Sequence, residues 1–98
     1  MNKAAQLQII KTSWELHSQI ETSYQNNHAK KGDNDWFEKQ RILLADMALH
    51  LLQTSIHPGD MELDKLRNNL HSILTISDQF LPNAGLKKAT EKLYENNI

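Results

Sequence analysis

The glycine and proline residues of this 98-residue chain fall in only three places, and these places divide it into helical segments. They are Gly32, the pair Pro58 and Gly59, and Pro82 with Gly85. Both residue types interrupt regular structure. Between them, apolar residues recur every three or four positions, which is the spacing of one face of an α-helix. The sequence therefore predicts four helices, roughly over residues 3 to 27, 35 to 55, 60 to 81 and 84 to 96.

The lengths of these segments favour an up-down arrangement. At about 1.5 Å per residue, the first three helices would be about 31 to 38 Å long and the fourth about 20 Å. Helices of similar length joined by short loops pack antiparallel to their neighbours. We therefore predict an all-α fold, an up-down bundle of three long helices plus a short C-terminal helix. It is expected to form a single helical-bundle domain over residues 1–98, since a chain of this size supports one core.

Polar residues at the start of three segments agree with these boundaries. Asp35, followed three residues later by Glu38, has the spacing of a capping box, with Asp33 as the competing cap. Asp60 and Asn83 are expected to cap the third and fourth helices, because their short side chains accept hydrogen bonds from the first turn.

The composition excludes several classes of function. The chain has no cysteine, which excludes disulfides, thiolate zinc sites and a cysteine nucleophile. Eleven Lys and Arg residues offset 12 Asp and Glu residues, so the net charge of -1 gives no field for nucleic-acid binding. No stretch approaches the ~20 apolar residues of a membrane span, and the start of the chain lacks a signal-peptide core. We expect a cytoplasmic protein that binds neither nucleic acid nor membrane.

The second segment carries the strongest functional signal. Nine of the eleven residues from Ile42 to Leu52 are apolar, and only Asp46 and His50 interrupt the run. A helix that is apolar around about two-thirds of its circumference must be covered on several sides. Two explanations stay open. Either this is the central helix, covered by the other three, or one flank of it binds a second copy or another protein.

The residues expected to bind that partner lie along this second helix. Trp36 stands in its first turn, where it either caps the end of the bundle or forms an anchor for the partner. Trp14, on the apolar face of the first segment, is expected in the core. The candidate partner-binding residues are Trp36, Ile42, Leu49, Leu52 and Ile56.

The histidines were considered as metal ligands. His17 lies among apolar residues and is expected to be a neutral core histidine with one hydrogen-bond partner. Asp46 and His50 share one helix face, which we interpret as a solvated strip with a weak ion pair. They would hold a metal only with a further ligand from elsewhere in the fold. We therefore predict no metal site and no cofactor.

The sequence contains no catalytic constellation. It has neither a nucleophile turn nor a glycine-rich phosphate loop, so we expect no enzyme and no small-molecule substrate. The favoured function is a small protein-interaction module acting through an apolar helix face, such as an inhibitor, an immunity protein, a phage-encoded antagonist or a chaperone or adaptor.

Two alternatives stay open beside this function. One is a metal-binding helical bundle. The other is a histidine phosphotransfer-like four-helix domain with His50 as the phosphoacceptor. The second alternative is weakened by Gln53, which stands where a cation is wanted, and by Asp46 one turn before the histidine.

Overall fold

A computed structural model describes residues 1–95, and this part of the chain contains four helices and no strand. The all-helical class is therefore confirmed. The fourth helix is shorter than predicted, and residue 96, where its prediction ended, lies outside the described residues. The helices are α1 (Lys3–Gln25), α2 (Trp36–Ile56), α3 (Leu63–Asp78) and α4 (Leu86–Lys92).

The side-chain caps predicted for α2, α3 and α4 are wrong. The residues that precede these helices are Asp35, Glu62 and Gly85, and none of them makes a side-chain cap hydrogen bond. Asp35 has φ -91° and ψ 5°, outside the extended conformation that turns a capping side chain toward the first helical turn. Asp60 and Asn83 each lie two residues before the cap position, because α3 and α4 begin later than the sequence pattern indicated.

Gly85, the residue just before α4, lies in the left-handed region, with φ 70° and ψ 24°. A side chain added there would meet no other atom, so a substitution acts through the backbone alone. Because left-handed backbone costs an alanine about 1–2 kcal/mol, we expect Gly85→Ala to lower the free energy of unfolding by about 1 kcal/mol. Urea unfolding measures this change. Gly85→Asn is the matched control and should cost less, since asparagine tolerates this conformation; equal stability of wild type and Gly85→Ala would contradict the expectation.

Each helix packs against the next one along the chain, and the array stays open. Consecutive helices are in contact, but no Cα atom of α1 lies within 8 Å of α3 or α4, and none of α2 lies that close to α4. The order of contacts is consistent with an up-down arrangement without confirming a closed bundle. The interpretation in which all three other helices cover α2 is wrong, because α4 packs only against α3.

The open array is a slab with almost no apolar interior. It measures 45 × 40 × 16 Å. Its Cα radius of gyration is 15.4 Å, whereas a compact domain of this length has a radius of gyration of about 13 Å. Within residues 1–95, Ile76 is the only apolar residue that is buried. The other buried residues of that range are polar: Ser13, Gln40, Asp46 and Thr90. Most apolar side chains of the helices are therefore only partly covered, and many lie on the two sides of the slab.

A helix that crosses a membrane needs about 20 predominantly apolar residues, and this requirement bears on the described helices. None of them combines sufficient length with sufficient apolar character to cross a bilayer.

Candidate functional site

Polar side chains line the contact between α1 and α2. The polar residues of α2 in this contact are Lys39, Asp46, His50 and Gln53, of which Asp46 and His50 were expected to form a solvated strip. That expectation is wrong, because each of them meets a side chain of α1. Gln53 donates a hydrogen bond of 3.2 Å to the Oγ of the buried Ser13, and the ammonium of Lys39 lies 4.8 Å from the ring centre of Tyr24. The remaining two meet His17.

His17, Asp46 and His50 form a compact cluster in this contact. The Nδ1 atom of His17 lies 2.5 Å from Oδ1 of Asp46, and Nε2 of His50 lies 3.5 Å from Oδ2 of the same carboxylate. The two imidazole rings meet edge to face with centres 4.9 Å apart. The Asp46 side chain is 12% exposed. The carboxylate is therefore held between two imidazoles, away from most of the solvent.

The other nitrogen of His17 has a partner of its own. Its Nε2 atom lies 3.2 Å from Oε2 of Glu21, one turn further along α1. His17 was expected to have one hydrogen-bond partner in an apolar core, and this is wrong, because it is only partly buried and has a carboxylate at each ring nitrogen. The i, i+4 spacing of His17 and Glu21 is the sequence signal that would have placed Glu21 at the site.

A groove of about 480 Å³ opens above this cluster, between α1 and α3, with His50 and Gln53 of α2 in its lining. Trp14 lines the same groove and is 51% exposed. Its predicted place in the core is wrong, because the open array leaves that side of α1 without a neighbouring helix.

Glu62 and Lys65 form an ion pair at the edge of the groove. The Nζ atom of Lys65 lies 2.8 Å from the Glu62 carboxylate. This hydrogen bond, together with the positive charge of Lys65, lowers the pKa of Glu62 below its ordinary value. Glu62 therefore stays ionised near neutral pH. Because both side chains are exposed, the pair contributes little to the stability of the fold.

Four of the predicted partner-binding residues share one side of α2, and Leu16 of α1 extends it. Ile42, Leu49, Leu52 and Ile56 recur at spacings that keep them on one helix face, beside the strip of polar residues that meets α1. Leu52 is 37% exposed and the other three are half-buried. Leu16 is 42% exposed and lies on the opposite side of α1 from Trp14. We call this surface the outer face: Leu16, Ile42, Leu49, Leu52 and Ile56.

Trp36, the fifth predicted residue, does not join the outer face. Its Nε1 atom donates a hydrogen bond of 3.0 Å to Oε1 of Gln79 on the neighbouring stretch after α3. The amide of Gln79 in turn donates to Oε1 of the buried Gln40, at 2.8 Å. Trp36 thus closes the end of the α2–α3 contact, which is the first of the two roles considered for it.

We expect Gln79→Ala to lower the free energy of unfolding by about 1–3 kcal/mol, because it leaves two partly or fully buried polar groups, on Trp36 and Gln40, without their partner. Urea unfolding at a fixed protein concentration measures the loss. Gln8→Ala is the matched control, since Gln8 is exposed and bonds only to Thr12 of its own helix. Equal effects of the two substitutions would contradict a stabilising role for this network.

The structure adds no support for phosphotransfer through His50. The Nε2 atom of His50 lies 3.5 Å from Oδ2 of Asp46, so a phosphoryl group on Nε2 would face this carboxylate. Two negative charges at such a short distance repel each other.

The candidate site thus consists of two parts, an apolar outer face and a histidine–carboxylate cluster below a groove. No protein-family model matches the chain, and neither a curated protein nor a solved structure matches it.

Proposed function

We propose that this chain is a non-enzymatic protein-interaction module that acts through its outer face, and that its partner is a second copy of itself. One observation carries the proposal: within the described residues the helices form a single open layer in which one apolar residue, Ile76, is buried. Stable domains bury their apolar faces between at least two layers of secondary structure. A second copy supplies the layer that one chain lacks.

The exposed area of the chain supports this partner. A compact monomer of 11.3 kDa exposes about 5,700 Å², whereas this chain exposes 7173 Å². The excess is about 1,500 Å², and a standard protein interface buries about 800 Å² of each partner. The surplus surface of one chain is therefore sufficient for a stable dimer interface.

The chemistry of the outer face fits self-association. In a two-fold dimer the same surface of both copies meets, so it must be compatible with itself. All five residues of the outer face are uncharged, and the net charge of -1 per chain gives little repulsion between copies. In the paired arrangement, α1 and α2 of both copies make a four-helix unit. That unit has a closed bundle core, which residues 1–95 of a single chain do not form.

Sedimentation equilibrium tests the proposal. We expect a mass of twice 11.3 kDa at micromolar concentration, together with a melting temperature that rises with protein concentration. A monomer that unfolds cooperatively at a concentration-independent temperature would contradict it. An inhibitor, antagonist or chaperone acting on a different protein would use the same outer face in place of the second copy.

A further inference from the structure

We infer that His17, Asp46 and His50 bind one first-row divalent transition-metal ion, with Zn²⁺ as the representative, between α1 and α2. All three ligands come from one chain, so this site does not depend on the proposed dimer.

The spacing of the three side chains fits a single ion. One ligand atom from each residue can be chosen so that all lie within 4.8 Å of one another. In a tetrahedral site with bonds of about 2.0–2.1 Å, two ligand atoms lie about 3.4 Å apart. The 3.5 Å between His50 Nε2 and Asp46 Oδ2 already matches this spacing. With Oδ2 as the ligand atom of Asp46, Nδ1 of His17 must turn from Oδ1, which lies 2.5 Å away, toward the ion, a change that side-chain rotation on two facing helices provides.

Glu21 supplies the support that a metal-binding histidine needs. Ligating histidines usually donate their second ring N–H to a carboxylate or carbonyl, which fixes the tautomer and the ring orientation. Here Nε2 of His17 lies 3.2 Å from the Glu21 carboxylate, so Nδ1 is left to face Asp46 and the ion. Glu21 therefore acts as a positioning residue and not as a ligand.

The charge of the cluster also favours a cation. Among the described residues, the ionic partners of the Asp46 carboxylate are two imidazoles, and no lysine or arginine pairs with it. Burying a carboxylate is costly unless a positive charge compensates it. A divalent ion supplies that charge and leaves both imidazoles neutral, as metal binding requires.

The donor set selects the class of metal. Two imidazoles and one carboxylate suit zinc, copper, nickel, cobalt and iron, whereas magnesium and calcium prefer oxygen ligands. Three protein ligands leave a coordination position open. His50 is one-third exposed and lines the groove, so that position is reached from the groove and takes a water molecule or a group of a bound molecule.

The test uses the full chain without an affinity tag, after treatment with a chelator. Zn²⁺ titrated against a chromophoric competitor should bind with one ion per chain. In NMR spectra, the imidazole signals of His17 and His50 should shift on addition of zinc, while those of His28, His57 and His71 stay in place. Replacing zinc with Co²⁺ should give the visible absorption of a tetrahedral site.

Substitutions assign the roles within the cluster. Glu21→Gln should weaken zinc binding by about 10- to 100-fold, as loss of a supporting carboxylate does elsewhere. His50→Gln and Asp46→Asn should each weaken it further, because they remove a ligand. His28→Gln is the matched control, a histidine in the exposed loop between α1 and α2, and should bind zinc as the wild type does.

Two results would overturn the inference. One is a wild-type chain whose His17 and His50 signals do not respond to zinc, a readout that needs no variant and therefore no assumption about variant folding. The other is equal zinc affinity in His28→Gln and His50→Gln. If the chain fails this test and still sediments as a dimer, the metal site is contradicted and the proposed dimer is not.

Discussion

Combining Leu49→Glu with Leu52→Glu is expected to convert the proposed dimer into monomers with much reduced helical stability. Both leucines lie on the outer face, and in a two-fold dimer the change affects four side chains. Each fully buried leucine contributes about 1.5–3 kcal/mol, and these are already half-covered in the single chain. The dissociation constant should therefore rise by at least about a hundredfold. The monomer loses stability because Ile76 is the only apolar residue buried within residues 1–95 of one chain.

Size-exclusion chromatography with light scattering, together with circular dichroism, measures both effects. Leu63→Glu is the matched control, since Leu63 is 61% exposed at the start of α3 and lies outside the outer face. The control should remain dimeric and helical. A double variant that keeps both the dimer mass and the wild-type melting temperature would show that the outer face is not the interface.

The second large effect is expected from Asp46→Ala, measured in the presence of a chelator so that metal binding plays no part. Removing the carboxylate leaves His17 and His50 without the group between them and opens a gap in the α1–α2 contact. We expect a loss of about 3 kcal/mol in the free energy of unfolding, since removing one partner of a buried polar pair strands the other. Asp46→Asn should lose less, because the amide still offers an oxygen and fills the same space.

Urea unfolding at a fixed chain concentration gives these values. Asp64→Ala is the control, because Asp64 is exposed and pairs only with Arg67 on its own helix. It should leave the stability nearly unchanged. If Asp46→Ala unfolds at the same urea concentration as Asp64→Ala, the cluster does not hold α1 against α2.

The helices themselves were predictable because their determinants are local. Gly32 and Gly59 adopt positive φ in connections where the sequence pattern placed breaks. Gly85 also has positive φ and precedes α4, although the pattern placed it inside the predicted fourth helix. The position of α4 was not predictable in the same way. Whether α4 reaches α2 depends on the path of the chain after Leu81, and local periodicity carries no information about that path.

Only part of the His17–Asp46–His50 cluster was predictable. The sequence paired Asp46 with His50 but did not bring His17 to them, because that contact depends on how α1 and α2 are aligned. An amphipathic pattern assigns polar residues to water, and on that basis Asp46 and His50 were expected to be solvated. In the antiparallel α1–α2 pair, the eight residues from His17 to Tyr24 match the eight from Asp46 back to Lys39. Polar residues of both helices therefore meet in the contact, which is visible only when the two helices are aligned with each other.

Intermolecular NOEs in a sample that mixes isotope-labelled and unlabelled chains provide the most direct test of the account. If a second copy covers the outer face, the methyl groups of Leu16, Leu49 and Leu52 in one chain will show NOEs to protons of the other chain. If those methyl groups show none, in a chain that is folded and sediments with a mass of 11.3 kDa, the proposed dimer is contradicted.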